Sequence, residues 1–209
     1  AMSMPPIFTE SDREVALAAI RNPGWGYLVG VAEGVPTAAH LPFLFEGEPG
    51  AEKLVAHMAR ANPHWQTFAD GNEVLVVVPG PHTYVSPNWY AAKQAVPTWN
   101  YVAVHIYGVP RIVDDAQEAY AAQKRLVDFH ESGLAAPWSL DGQDSQYIAG
   151  MLRAIVNFEI PIARIEAKFK LSQNRTADDR KGVIAALSQG EREDSRRIAA
   201  LMAEREPAE

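Results

Sequence analysis

Residues 98–108 read TWNYVAVHIYG, and the alternation inside this stretch constrains the fold more than any other part of the chain. Trp99, Tyr101, Ala103, His105 and Tyr107 fall on one side, while Val102, Val104 and Ile106 fall on the other. That is the period-two pattern of a strand with an aliphatic face for a core and a second face of polar-tipped rings. Upstream, Pro79, Pro81, Pro87 and Pro97 fix φ and remove backbone donors, so 79–97 is expected to be a structured loop that holds its side chains in set directions. Any single ring here serves well enough as core filler with its polar tip satisfied locally. The joint occurrence of His82, Tyr84, Ser86, Asn88, Trp89, Tyr90, Lys93, Thr98, Trp99 and Asn100 puts more hydrogen-bonding groups together than a core favours, and it suits a flat ligand.

Around this centre the chain reads as strands first and helices last. A capped amphipathic helix is expected over 10–22, stopped by Asn22-Pro23-Gly24. A hairpin follows over 25–32 and 35–44, turning at Glu33-Gly34. Small Ala38 and Ala39 beside His40 leave room for something flat near the backbone. A strand over 53–58 runs through Arg60 into Asn62-Pro63 and a short helix. A helix start with free N–H groups beside Arg60 and Asn62 can seat a phosphate, and Asn62 can equally act as a plain cap with Pro63 in the first turn. Residues 73–78 read as a strand buried on both faces. A short strand over 109–113 then leads to helices over 116–131 and 144–152.

Residues 154–172 read as one long strand bent at Pro161, with Ile165, Ala167, Phe169 and Leu171 alternating against Arg164, Glu166, Lys168 and Lys170. The charged face is either solvated or, at Lys170, in contact with a ligand or a second subunit. Two charged surface helices complete the chain, over 176–188 and 191–206. The domain expectation is a barrel domain over 1–175 with a helical tail over 176–209 packed on it.

Several chemistries are disfavoured. The histidines lack HExxH spacing, no G-x-S-x-G elbow occurs, and there is neither a P-loop nor a G-x-G-x-x-G after a strand. The absence of cysteine removes disulfides, thiolate metal sites and cysteinyl-flavin links. No apolar run is long enough to cross a bilayer, and a cytoplasmic home is the expectation. A net charge of −7 argues against a protein whose main task is to neutralise a phosphate backbone, so direct DNA binding is not expected. No side chain stands out as an acid–base catalyst.

The strings HLPFLF, HMARANPHW, GPHTYVSPNWY, VPTWNYVAVHIYG and KLSQNR, in this order along nearly the whole chain, resemble the PaiB-like family of FMN-binding negative transcriptional regulators. The family is similar to the split-barrel flavoproteins that include pyridoxamine phosphate oxidases. The resemblance implies an α+β, mainly β fold: a Greek-key split β-barrel of about six antiparallel strands, with peripheral helices and a C-terminal helical tail. It further implies FMN as cofactor, a homodimer, and cofactor contacts from His40, Arg60, Asn62, Tyr84, Ser86, Thr98, Trp99, Lys170 and Gln173. Three functions follow from it: a flavin-dependent or ligand-sensing regulator, a flavin-dependent oxidoreductase, or an interaction protein with a decayed flavin site.

Overall fold

The computed structural model describes residues 1–21 and 24–206; Asn22 and Pro23, expected to stop the first helix, lie outside the described residues. The chain divides into two compact units, one of Ala1–Ile20, Val78–His105 and Ile165–Glu209, the other of Arg21–Val77 and Ile106–Arg164. Two long strands, β6 (Val74–Val85) and β7 (Thr98–Gly108), contribute residues to both.

In the second unit, β2 (Trp25–Ala32) and β3 (Val35–Pro42) form the expected hairpin, in register from Trp25↔Pro42 to Ala32↔Val35. Its turn places Glu33 and Gly34 at φ 51° and 79°, the paired positive values that match the twist of the strands. The N-terminal part of β6 joins β2 at Tyr27↔Val77 and Leu28↔Val76. A second sheet of order β4-β5-β9-β8 is built from Leu44–Glu46, Lys53–Ala59, Ile155–Pro161 and Arg111–Val113. Leu28, Val76, Phe158 and Ile160 are wholly buried in this unit. Gln123 of α2 (Ala116–Glu131) donates to Asn157 Oδ1, which sets α2 against β9; α3 (Ser145–Arg153) leads directly into that strand.

In the first unit the strand order is β1 (Thr9–Glu10), β10 (Arg164–Lys170), β7 and β6. The alternation read from the sequence holds: Asn100, Val102 and Val104 are buried while Trp99 is exposed, and Ala167 and Phe169 are buried between half-buried Glu166, Lys168 and Lys170. Helix α1 (Arg13–Arg21) follows β1, and α4 (Ala177–Ser188) and α5 (Glu193–Ala203) complete the unit. α5 meets the buried side of the sheet where Ser195 Oγ lies 3.0 Å from Thr83 Oγ1 and Met202 Sδ accepts from Asn100 Nδ2.

Three expectations need correction. The loop expected from Pro79 is strand as far as Val85: the buried positions change from 74, 76 and 78 to 81, 83 and 85, so the alternation slips by one residue at Pro79-Gly80. A slip of that kind places two prolines where the ladder is already irregular, and it leaves His82 and Tyr84 pointing outward. The single bent strand expected over 154–172 is two strands in different sheets. β9 ends at Pro161, and the break is pinned by Ile162 N donating to Glu52 O and Ala163 N donating to Tyr107 O. Residues 73–78 are also less enclosed than expected, since Leu75 and Val77 are half-buried.

Candidate functional site

The slip in β6 and the alternation of β7 and β10 bring polar-tipped rings and cations to one face of three neighbouring strands. Trp99 is 49% exposed and Tyr84 45%, with ring centroids 6.1 Å apart and planes edge to face at 74°. His82 lies 6.2 Å from the same indole. Lys168 Nζ stands 5.6 Å above the Tyr101 ring and donates to Ser3 O. Large rings left this open are costly in water, so the face is shaped for contact.

At one end of this face lies a cavity of about 230 Å³, lined among others by Tyr90, Thr98, Asn100, Lys170, Ser172 and Arg175. Every polar side chain that lines it, including Asn174, is neutral or cationic. Lys170 Nζ donates to Thr98 Oγ1 and, at 2.8 Å, to Trp99 O. Burial pushes the Lys170 ammonium below its ordinary pKa, Tyr101 opposes this, and Lys168 adds to it. The Arg175 guanidinium lies 4.3 Å from the Tyr90 ring centre. Among the described residues, neither cation is paired with a carboxylate. The Tyr90 hydroxyl is buried with no hydrogen-bond partner, a condition that costs about 1–3 kcal/mol unless something meets it.

The walls are rigid for visible reasons. Asn100 is fully buried and donates to Ser172 Oγ at 2.9 Å. Ser172, also buried, is held at φ 65°, a left-handed conformation that a serine adopts only when its surroundings impose it. Gln173 clasps the same turn, accepting from Leu171 N at 2.7 Å and donating to Phe169 O. Asp179 of α4 accepts from Ala92 N, and Gly182 lies so close to Trp89 O that an added Cβ would stand 2.0 Å from it.

Six of the nine expected contacts, Tyr84, Ser86, Thr98, Trp99, Lys170 and Gln173, therefore fall in one unit. Tyr84, Thr98, Trp99 and Lys170 share the face or its cavity, while Ser86 caps the short turn Pro87–Trp89 by accepting from Asn88 N. The other three lie in the second unit in separate local settings. His40 is exposed and meets Tyr27 edge-on at 4.8 Å. Asn62 accepts from His64 N and caps the 3₁₀ helix Pro63–Asp70. Arg60 donates through Nε to Arg153 O and through Nη2 to Ile155 O, both at 2.9 Å. Tyr90 belongs to the ring-rich set that suits a flat ligand, and Ser172 and Arg175 to the KLSQNR string, but none of the three is among the nine named contacts. Arg175 closes the KLSQNR string and was within reach of the sequence, whereas nothing in the residue order signals that Ser172 adopts a positive φ.

The family model described as "Putative FMN-binding domain" matches residues 2–164. Protease synthase and sporulation protein PAI 2 of Bacillus subtilis is 33% identical over 201 residues, 96% of this chain and 96% of its own. The uncharacterized protein AN0679 of Emericella nidulans is 30% identical over 204 residues, 80% of this chain and 81% of its own. Among solved structures, the flavocytochrome Anf3 of Azotobacter vinelandii superposes with a TM-score of 0.58 at 15% identity, over 81% of this chain and 70% of that one. The FAD and heme binding protein of Mycobacterium smegmatis gives 0.56 at 21%, over 85% and 79%. These two likenesses are likenesses of fold, and they agree with the split-barrel class expected from the sequence. With a matching model over most of its length and a bacterial relative a third identical from end to end, the chain belongs to the FMN-binding domain family that includes the PAI 2, or PaiB-like, proteins.

Proposed function

We propose that this chain binds FMN and acts as a flavin-dependent or ligand-sensing regulator of the PaiB type, working as a homodimer in the cytoplasm without contacting DNA itself. The observation that carries the reading is the carboxylate-free cavity where Lys170 and Arg175 meet the unpartnered Tyr90 hydroxyl, beside the open rings of Trp99 and Tyr84. The donor set fits a phosphomonoester: two cations, the Thr98 and Ser172 hydroxyls, and a phenol that lacks a partner. The cavity is smaller than a site for a whole cofactor, which suits the phosphate end, while the indole and phenol offer surfaces to the ring system. When bound, the flavin supplies redox chemistry, and these residues supply binding, orientation and charge.

The exposed rings support the dimer, because a second copy laid over them would remove that surface from water. The acidic balance supports regulation by way of a partner or a sensed ligand, and the Bacillus relative is named for protease synthesis and sporulation. Titration of the purified protein with FMN and with riboflavin, alongside sedimentation, tests the reading. Saturable binding with preference for FMN, on a dimer, is expected; equal affinity for both flavins, or binding to a monomer, would count against it. Bleaching of bound flavin by NAD(P)H would move the function to an oxidoreductase.

A further inference from the structure

The second unit holds a larger cavity of about 720 Å³ between α2, α3 and the face of β8 and β9, within the range of small-molecule pockets. Alanines make the space: Ala116 and Ala119 on α2 and Ala149 on α3 line it where longer side chains would fill it. The remaining walls are mostly aliphatic, from Ile112, Leu140, Ile148, Leu152 and Ile155.

Two polar features are hard to reconcile with plain core. Asn157 lies on the floor at 4% exposure, and only its Oδ1 has a hydrogen-bond partner among the described residues, Gln123 Nε2. Directly across the β5–β9 ladder, on the same sheet face, His57 has a buried Nδ1 with no partner. Two cations line the cavity as well. Arg60 is fixed by its bonds to Arg153 O and Ile155 O, which leaves Nη1 over, and Arg153 is exposed and has no carboxylate partner among the described residues. Of the two carboxylates in the lining, Asp141 pairs at 2.8 Å with Lys124, an ammonium it shares with Asp128, and accepts from the Tyr120 hydroxyl. The lining thus holds two arginines and two carboxylates, and its two cations are neighbours, since Arg60 Nε donates to Arg153 O.

We propose that this cavity binds a small molecule with a flat or compact apolar body and one anionic head group, such as an aryl carboxylate or sulfonate. The body lies between the helices over Ile112, Ile148 and Ile155, and the head group lies with Arg60 and Arg153. The site is separate from the flavin cavity and does not rest on the flavin reading. It would give the protein a place to sense an organic acid.

The probe is 8-anilinonaphthalene-1-sulfonate, which has both features, with N-phenyl-1-naphthylamine as its uncharged analogue. The intact protein is expected to bind the sulfonate saturably at one site per chain and to be stabilised against heat by it. Ala149→Trp, at an exposed position on the wall, is expected to weaken both probes by about tenfold or more, and Ala119→Phe is a second filling variant. Arg153→Gln is expected to weaken the sulfonate about three- to tenfold while leaving the uncharged probe unchanged. FMN is expected not to displace the probe. Unaltered binding in both filling variants when they are folded, equal loss of both probes in Arg153→Gln, or stoichiometric displacement by FMN would each overturn the proposal.

Discussion

Lys170→Met removes an ammonium and keeps a stem of similar length, so it isolates charge from packing. In the proposed site that ammonium faces the FMN phosphate. A hydrogen bond to a charged group contributes about 1.5–3 kcal/mol, and two features place this one in the lower half of that range. Lys170 is half-buried, which lets water screen it, and its ammonium also holds Thr98 Oγ1 and Trp99 O. A loss of about 1.5–2 kcal/mol corresponds to roughly a ten- to thirtyfold rise in the Kd for FMN. Riboflavin lacks the phosphate, so its Kd should move by no more than about twofold. Quenching of flavin fluorescence, titrated at low and high salt, gives both constants, and the FMN-to-riboflavin ratio is the readout. Salt should narrow that ratio in the wild type more than in the variant, because screening acts on the charge the variant lacks. Equal losses for the two flavins would mean that Lys170 supports the fold or the ring, and no loss for either would place the phosphate elsewhere.

Arg175→Gln should show the same selectivity for FMN in the same titration. Gly182→Ala sets two rules against each other: helix propensity favours alanine by about 1 kcal/mol, while the 2.0 Å approach to Trp89 O forces α4 or the 87–92 loop to shift at a typical overpacking cost of about 1–3 kcal/mol. Thermal melting should show a lower Tm, and a rise would refute the close approach. Arg60→Ala frees the carbonyls of Arg153 and Ile155 and should lower stability by about 1–2 kcal/mol, a few degrees for a chain of this size. Burial holds the His57 and His64 imidazoles below their ordinary value of 6.5. The unfolded chain therefore takes up protons first, so stability is full above pH 6.5 and declines as the pH falls from there through the depressed folded values. Urea midpoints at about pH 7.5 and pH 5.5 should differ, and His57→Gln should reduce the difference; a midpoint independent of pH would contradict the sign.

Strand periodicity carried most of the fold because each strand buries one face, so the order of residues records the burial. Val102, Val104 and Ile106 on β7, and Ala167 and Phe169 on β10, are legible for that reason. The prolines of 79–81 were misleading. A missing donor is damaging in a regular ladder and harmless at a slip, and only the sheet shows that the slip is there. The break at 162–163 was hidden similarly, since alternation on either side of Pro161 reads as one strand until the bonds to Glu52 and Tyr107 are seen. In the candidate site, ring and cation types were legible at Trp99, Tyr84 and Lys170. Tyr90 was grouped with those rings by proximity in sequence; its meeting with Arg175 was not legible, because it depends on a turn at Ser172 and on contacts between residues far apart in sequence. At Arg60 local logic reaches part of the way: an arginine beside a helix start suits an anion, and the carbonyls of residues 153 and 155 that fix its Nε and Nη2 lie far off in sequence.

The helices after residue 176 hold the cavity from behind, with Asp179 on Ala92, Gly182 against Trp89 and Met202 on Asn100. Arg180 grips Glu206 with two bonds, and Arg205 reaches Glu10 near the opposite end of the chain. During synthesis the ribosome delivers β6 and β7 about a hundred residues before these braces, at roughly 5–20 residues per second. For several seconds the nascent chain therefore carries Asn100, fully buried in the finished fold, with neither Ser172 nor Met202 to meet it. In the proposed reading the phosphate end of the site is therefore among the last parts of the chain to be made, completed when residues 170–175 emerge and Arg180 fastens Arg175 O.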